Sequence, residues 1–159
     1  MKTRFSVLAL VVILAAPTMF AQEQYLELLR TDLKKEKVAI LTEAMEFSPA
    51  EAEKFWPIYR EYDLKLSTLG DRRIAAIKEY AAVYETITNE KAEELMKKFL
   101  KMDRDYLDLR QEYFNKVTKA ISPTVAARFM QVENQMNSLV QLQVMSELPL
   151  VKKVQKKEK

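Results

Sequence analysis

The chain has 159 residues, with no histidine, no cysteine, one glycine and 26 basic against 23 acidic residues. That composition lacks the commonest general base and the thiol nucleophile, offers no glycine loop to cradle phosphate, and rules out a disulfide framework or a lipid-bearing cysteine. Such a chain is held by its core, and hydrophobic residues at 48% of the sequence suffice for one packed domain.

At the start, Lys2 and Arg4 precede an apolar run from Val7 to Ala16, followed by Pro17 and a short stretch ending at Ala21. This is the layout of a secretory signal peptide. The run is too short for a permanent bilayer helix, which needs about 18 or more apolar residues. Residues 1–21 are therefore expected to be removed, leaving a mature chain that begins near Gln22. Without Lys2 and Arg4 the balance is 24 basic to 23 acidic, and the five lysines of 152–159 against Glu158 leave residues 22–151 at −3. The basicity is thus a solvated, disordered tail rather than a folded face, so no nucleic-acid partner is expected, and the tail can make at most weak contact with anionic lipid.

Four helices follow. The first is expected from about Gln24 to Met45, with Leu26, Leu29, Leu33, Ile40 and Ala44 on one face. Ser48, Pro49 and Glu51 form a cap, a first-turn proline and a capping box that open the second, which runs to about Glu85 with Phe55, Tyr59, Tyr62, Leu66 and Leu69 on one stripe. The third starts after Thr88 and carries Ala92, Leu95, Phe99, Met102, Tyr106, Leu109 and Tyr113 in three-four alternation, acidic at its start (Glu90, Glu93, Glu94) and basic at its end (Lys116, Lys119). The fourth opens at Ser122 and Pro123, continues through Val125, Phe129, Val132, Met136 and Leu139, and ends before Pro149. Connections this short make neighbours antiparallel. The fold class is all-α, a four-helix antiparallel bundle around a long, coiled-coil-like central pair.

Helix lengths add a further expectation. At 1.5 Å per residue the second helix is roughly 60 Å long and the third roughly 45 Å, against about 35 Å for the outer two. The outer helices then cover only the end near Phe47 and Ile121, and the other end, tipped at Ile87 and Thr88, should project as a bare pair. The stripe slips near Gly70 to Arg73, either because the four-helix section gives way there or because of a stutter in one continuous helix. A bare pair needs a neighbour, which makes Ile77, Tyr80, Tyr84, Leu95 and Phe99 the candidate protein-binding or dimer surface and a homodimer the expected state.

Three segments share a pattern: FSPAEAEKF from Phe47, ITNEKAEEL from Ile87 and ISPTVAARF from Ile121. Each sets a hydroxyl cap between apolar residues. With the first and third copies opening the second and last helices, they resemble the LTxxQ signature of the Spy/CpxP family of periplasmic proteins. Phe47 and Ile121 stand where that family has leucine, Ser48 and Ser122 replace threonine, and Glu51 and Val125 hold the glutamine positions. The resemblance implies a periplasmic helical protein that dimerises and binds unfolded or envelope proteins, as an ATP-independent chaperone or an envelope-stress regulator.

Other features have structural readings. Pro57 loosens the second helix so that Phe55 and Trp56 can close the open end of the bundle. The tyrosines and methionines sit at stripe positions and read as core, not as a metal or cofactor site. Glu61 with Lys65, Glu93 with Lys97 and Glu94 with Lys98 have the spacing of helix-surface pairs. No catalytic residue, cofactor or metal ligand is identified, and the chain reads as a non-enzyme. The apolar run of 139–151 is either covered by Tyr25, Leu26, Leu28 and Leu29 or left as an exposed patch. The functional alternatives are a dedicated ligand of a membrane sensor or anti-sigma partner, and an envelope-associated structural protein.

Overall fold

A computed structural model describes residues 36–152. The chain divides into two compact units, Met1–Ala39 and Ile40–Lys159. Of the first, residues 36–39 are described, and they are helical. The expected signal segment, the start of the first helix and residues 153–159 lie outside the described residues. The second unit is helical, with no strand among the described residues. Helix α1 (described over 36–45) is followed by α2 (Pro49–Val83), a short 3-10 turn (Tyr84–Thr86), α3 (Asn89–Ala120) and α4 (Pro123–Glu147).

Each helix start has a chemical cause. The Ser48 hydroxyl accepts from the Glu51 amide at 3.4 Å while the Glu51 carboxylate accepts from the Ser48 amide at 2.9 Å, and Pro49 supplies the first turn. That pairing also holds the Glu51 carboxyl below its usual range, the Ser48 side-chain hydrogen bond first. Thr88 caps α3 by accepting from the Lys91 amide at 3.2 Å, and Ser122 does the same for Val125 in α4 at 3.2 Å. The reversal between α1 and α2 uses Glu46 at φ 48°, and Arg128 on α4 secures it by donating Nε–H to the Ala44 carbonyl at 2.7 Å and pairing with Glu46 at 3.2 Å.

The main core gathers Leu41 and Met45 from α1, Phe55, Tyr59 and Tyr62 from α2, Leu109, Tyr113 and Val117 from α3, and Ala126, Phe129 and Met136 from α4. Phe129 is its hub, edge-on to Phe55 at 5.1 Å, Tyr62 at 5.4 Å and Tyr59 at 6.0 Å. The stripe expected for α2 faces this core, whereas that of α3 is shared, with Leu109 and Tyr113 in the main core and Ala92 and Leu95 in a second, smaller cluster. Two others are corrected. In α1, Leu41 and Met45 are buried while Ile40 is exposed. In α4 the inner face is Ala126, Phe129, Glu133 and Met136, with Val125 and Val132 half-buried and Leu139 exposed.

Helix α2 runs unbroken through Gly70, yet the main core stops at Leu69, and a separate small cluster of Tyr80, Ile87 and Leu95 begins further on. The slip near Gly70 is therefore a change of core within one continuous helix. Ion pairs set the antiparallel register: Glu61–Lys116 at 3.0 Å, Lys65–Glu112 at 3.0 Å, Arg72–Asp105 at 2.9 Å and Glu79–Lys98 at 2.9 Å. Each step up α2 is matched by an equal step down α3. Exposed pairs contribute little stability, so their main effect is to disfavour slipped registers.

Candidate functional site

The cap residues begin helices and pack on the core. Phe47 lies tilted against Phe55 at 4.5 Å and edge-on to Trp56 at 6.3 Å, and both Phe47 and Ile121 pack on the main core. Ser48, Pro49, Glu51, Ser122 and Pro123 start α2 and α4, so the motif that carries the family resemblance works here as helix punctuation. Trp56 lies edge-on to Phe55 at 5.4 Å and to Tyr59 at 5.7 Å, consistent with closure of that end of the core.

At the opposite end of the α2–α3 hairpin, Tyr80 and Leu95 are buried, and Ile77, Tyr84 and Phe99 are half-buried. Tyr80 and Tyr84 meet edge-to-face at 5.7 Å. Phe99 is not among the residues packed on that small cluster, and the Arg73 guanidinium lies 5.9 Å from its ring centre. A charge cluster braces the hairpin here: Lys91 lies 2.5 Å from Glu79, and Lys98 lies 2.9 Å from Glu79 and 2.8 Å from Glu94. Hydrogen bonds within it hold Glu79 and Glu94 below the ordinary carboxylate range and raise Lys91 and Lys98.

This tip is not bare. The Tyr80 hydroxyl donates to the Pro149 carbonyl at 2.9 Å, and the Lys152 ammonium pairs with Glu85 and sits 4.8 Å from the Tyr84 ring centre. The expectation from helix lengths is corrected: α4 continues to Glu147, and Pro149 and Lys152 just beyond it lie against the tip.

A polar cluster that apolar patterning overlooks lies inside the bundle. Glu133 is fully buried, and its Oε2 accepts from the Tyr62 hydroxyl at 3.3 Å and from the Asn137 amide at 3.2 Å. The same Asn137 amide nitrogen donates to the Tyr106 hydroxyl at 2.8 Å, and Arg110 lies over the Tyr106 ring at 5.6 Å while donating to the Met130 carbonyl at 3.4 Å. The signal in the sequence is the Glu133–Asn137 spacing on the line of Phe129, opposite tyrosines on two other helices. Glu133 and Tyr62 are enclosed, Tyr106 and Asn137 are half-buried, and the cluster ties α4 to α2 and α3.

Burial, and then the nearby Glu133 charge, push the Tyr59 and Tyr62 phenols far above their ordinary range. A raised folded pKa means that stability is complete below the unfolded phenol value near 10 and falls as pH rises beyond it. Each phenol that ionises only on unfolding removes about 1.4 kcal/mol per pH unit there. Helical circular dichroism and phenolate absorbance are accordingly expected to change together in one alkaline transition. Complete phenolate formation with the helix signal intact would contradict the burial of these rings.

Among the described residues, no group of acidic, histidine or cysteine side chains is arranged to hold a metal, and no helix is long and apolar enough to cross a membrane. Large apolar side chains do stand in solvent: Leu64, Met96, Leu100, Leu107, Leu139 and Leu142. In the run of 139–151, Leu150 and Val151 are exposed as well, whereas Val144 and Leu148 are half-buried. The four residues considered as its cover, Tyr25, Leu26, Leu28 and Leu29, lie outside the described residues. The chain matches no protein-family model, no curated protein and no solved structure. What the fold defines is an all-helical bundle with apolar side chains on its outside.

Proposed function

We propose that this chain is an exported, Spy/CpxP-like protein of the periplasm that binds other proteins without nucleotide, as a chaperone or an envelope-stress regulator, and that pairs with a second copy through the region from Arg73 to Leu100. The observation that carries the reading is the outer stripe of α3. Met96, Leu100 and Leu107 share one helical face, all exposed, among lysines and acidic residues. Apolar side chains set in a charged, soluble surface give many weak contacts to a partly unfolded chain and no single tight one. Such a function needs no catalytic group and no cofactor.

Light scattering of a chemically unfolded client tests the reading. Near-stoichiometric protein is expected to suppress aggregation without ATP, and Met96→Ser/Leu100→Ser/Leu107→Ser is expected to lose most of that effect while keeping the helix signal. No suppression by the wild type, together with capture of one membrane partner, moves the function to a signalling ligand. Export is checked separately by intact mass: protein recovered from the envelope is expected to lack residues 1–21, and a mass that retains them refutes this part.

A further inference from the structure

The contacts made by the residues after α4 are of the kind by which proteins read an extended peptide. Tyr80 donates its hydroxyl to a backbone carbonyl, that of Pro149, at 2.9 Å, and Glu85 takes the Lys152 ammonium that also lies over the Tyr84 ring. These are one main-chain acceptor, one charge and one ring, spaced along four residues of chain. Between those anchors Leu150 is 90% exposed, while Leu148 just before them is half-buried. Beneath it lies the small Tyr80–Ile87–Leu95 cluster, separate from the main core.

We propose that Tyr80, Tyr84 and Glu85 form a docking site for the non-helical segment 148–152, filled in cis by the chain's own strap and in trans by the strap of a second copy, so that two copies exchange straps. A second copy is the occupant that fits because every contact made in cis is remade when two copies trade segments, with no new surface required. The tether favours cis closure until the protein concentration approaches that of the tethered strap, on the order of millimolar for a short connection. The proposal deepens the dimer reading above, from which it takes the tip as the partner surface.

Charge reversal in the full chain tests it. Lys152→Glu sets an acidic strap against an acidic tip, and Glu85→Lys sets a basic strap against a basic tip, so each variant alone is repelled in cis and in trans. Mixed, the two present opposite charges at both exchanged contacts. Sedimentation velocity is expected to show the mixture associating at least about fivefold more tightly than either variant alone. Tyr80→Phe placed in both variants removes the hydroxyl donor and is expected to weaken the mixed dimer. The proposal is overturned if the mixture sediments as the sum of its components, if either variant alone dimerises as tightly as the mixture, or if Tyr80→Phe changes nothing. Both reversed side chains are exposed, so circular dichroism of each variant is expected to match the wild type. Aggregation suppression is measured separately, so its failure would remove the chaperone reading and leave the strap result standing.

Discussion

Phe129→Ala is expected to cost about 3–5 kcal/mol of folding free energy, a large share of the roughly 5–15 kcal/mol available to a domain. Phe129 is fully buried, and its ring is the one that touches Phe55, Tyr59 and Tyr62 together, each nearly edge-on. Truncation removes the transfer free energy of the ring and leaves a cavity bounded by three aromatic side chains that α2 holds in place. Because those neighbours sit on successive turns of one helix, they cannot close the gap without moving α2 away from α3. Phe129→Leu keeps part of the volume and is expected to lose about half as much. Urea titration followed by circular dichroism measures both. An alanine variant within 1 kcal/mol of the wild type would show that the four rings do not form the centre of the core.

Glu133→Leu is expected to lose about 2–4 kcal/mol even though it places an apolar side chain in an apolar bundle. The leucine avoids the desolvation of a buried carboxylate, but it leaves the Tyr62 hydroxyl facing a side chain that cannot accept. The Asn137 amide fares better, since it retains Tyr106 at 2.8 Å. Most of the loss should therefore trace to Tyr62, and Tyr62→Phe/Glu133→Leu should recover much of it, because the stranded donor is then gone. A double-mutant cycle in urea reads that coupling directly. Additive losses, with no recovery in the double variant, would mean that the Tyr62–Glu133 hydrogen bond at 3.3 Å contributes nothing. Glu133→Gln, which keeps an acceptor oxygen, is expected to be the mildest of the substitutions.

The two features that patterning missed share a cause. On α4 the apolar residues Val125, Phe129, Val132, Met136 and Leu139 form an acceptable stripe, and preferring them to Ala126 and Glu133 follows from hydrophobicity alone. In the folded chain, Tyr62 and Tyr106, supplied by α2 and α3, make Glu133 the better inward residue. The helix turns to bury a carboxylate and an alanine, and Leu139 is left outside. A single-helix pattern cannot contain that information, since the partners arrive from elsewhere in the chain. Likewise, helix lengths alone leave the hairpin tip without cover. The cover comes from residues past Glu147, which leave the helix and reach Tyr80, Tyr84 and Glu85.

Local chemistry in the sequence was enough to determine helix content, the starts of α2, α3 and α4 at Ser48, Thr88 and Ser122, and the inner stripes of α2 and α3. Hydroxyl caps, prolines and three-four spacing act within a few residues of one another, so they can be read without knowing the fold. The pairs Glu61–Lys65, Glu93–Lys97 and Glu94–Lys98 were legible for the same reason, and they form at 3.9, 2.5 and 2.8 Å. Tertiary structure alone decided the rotation of α1 and α4, the burial of Glu133, the change of core beyond Leu69 and the strap over the tyrosine tip. Each depends on groups brought together from distant parts of the chain, where an acceptor for a buried hydroxyl or a charge for Glu85 outweighs the preference of any single helix for its most apolar face.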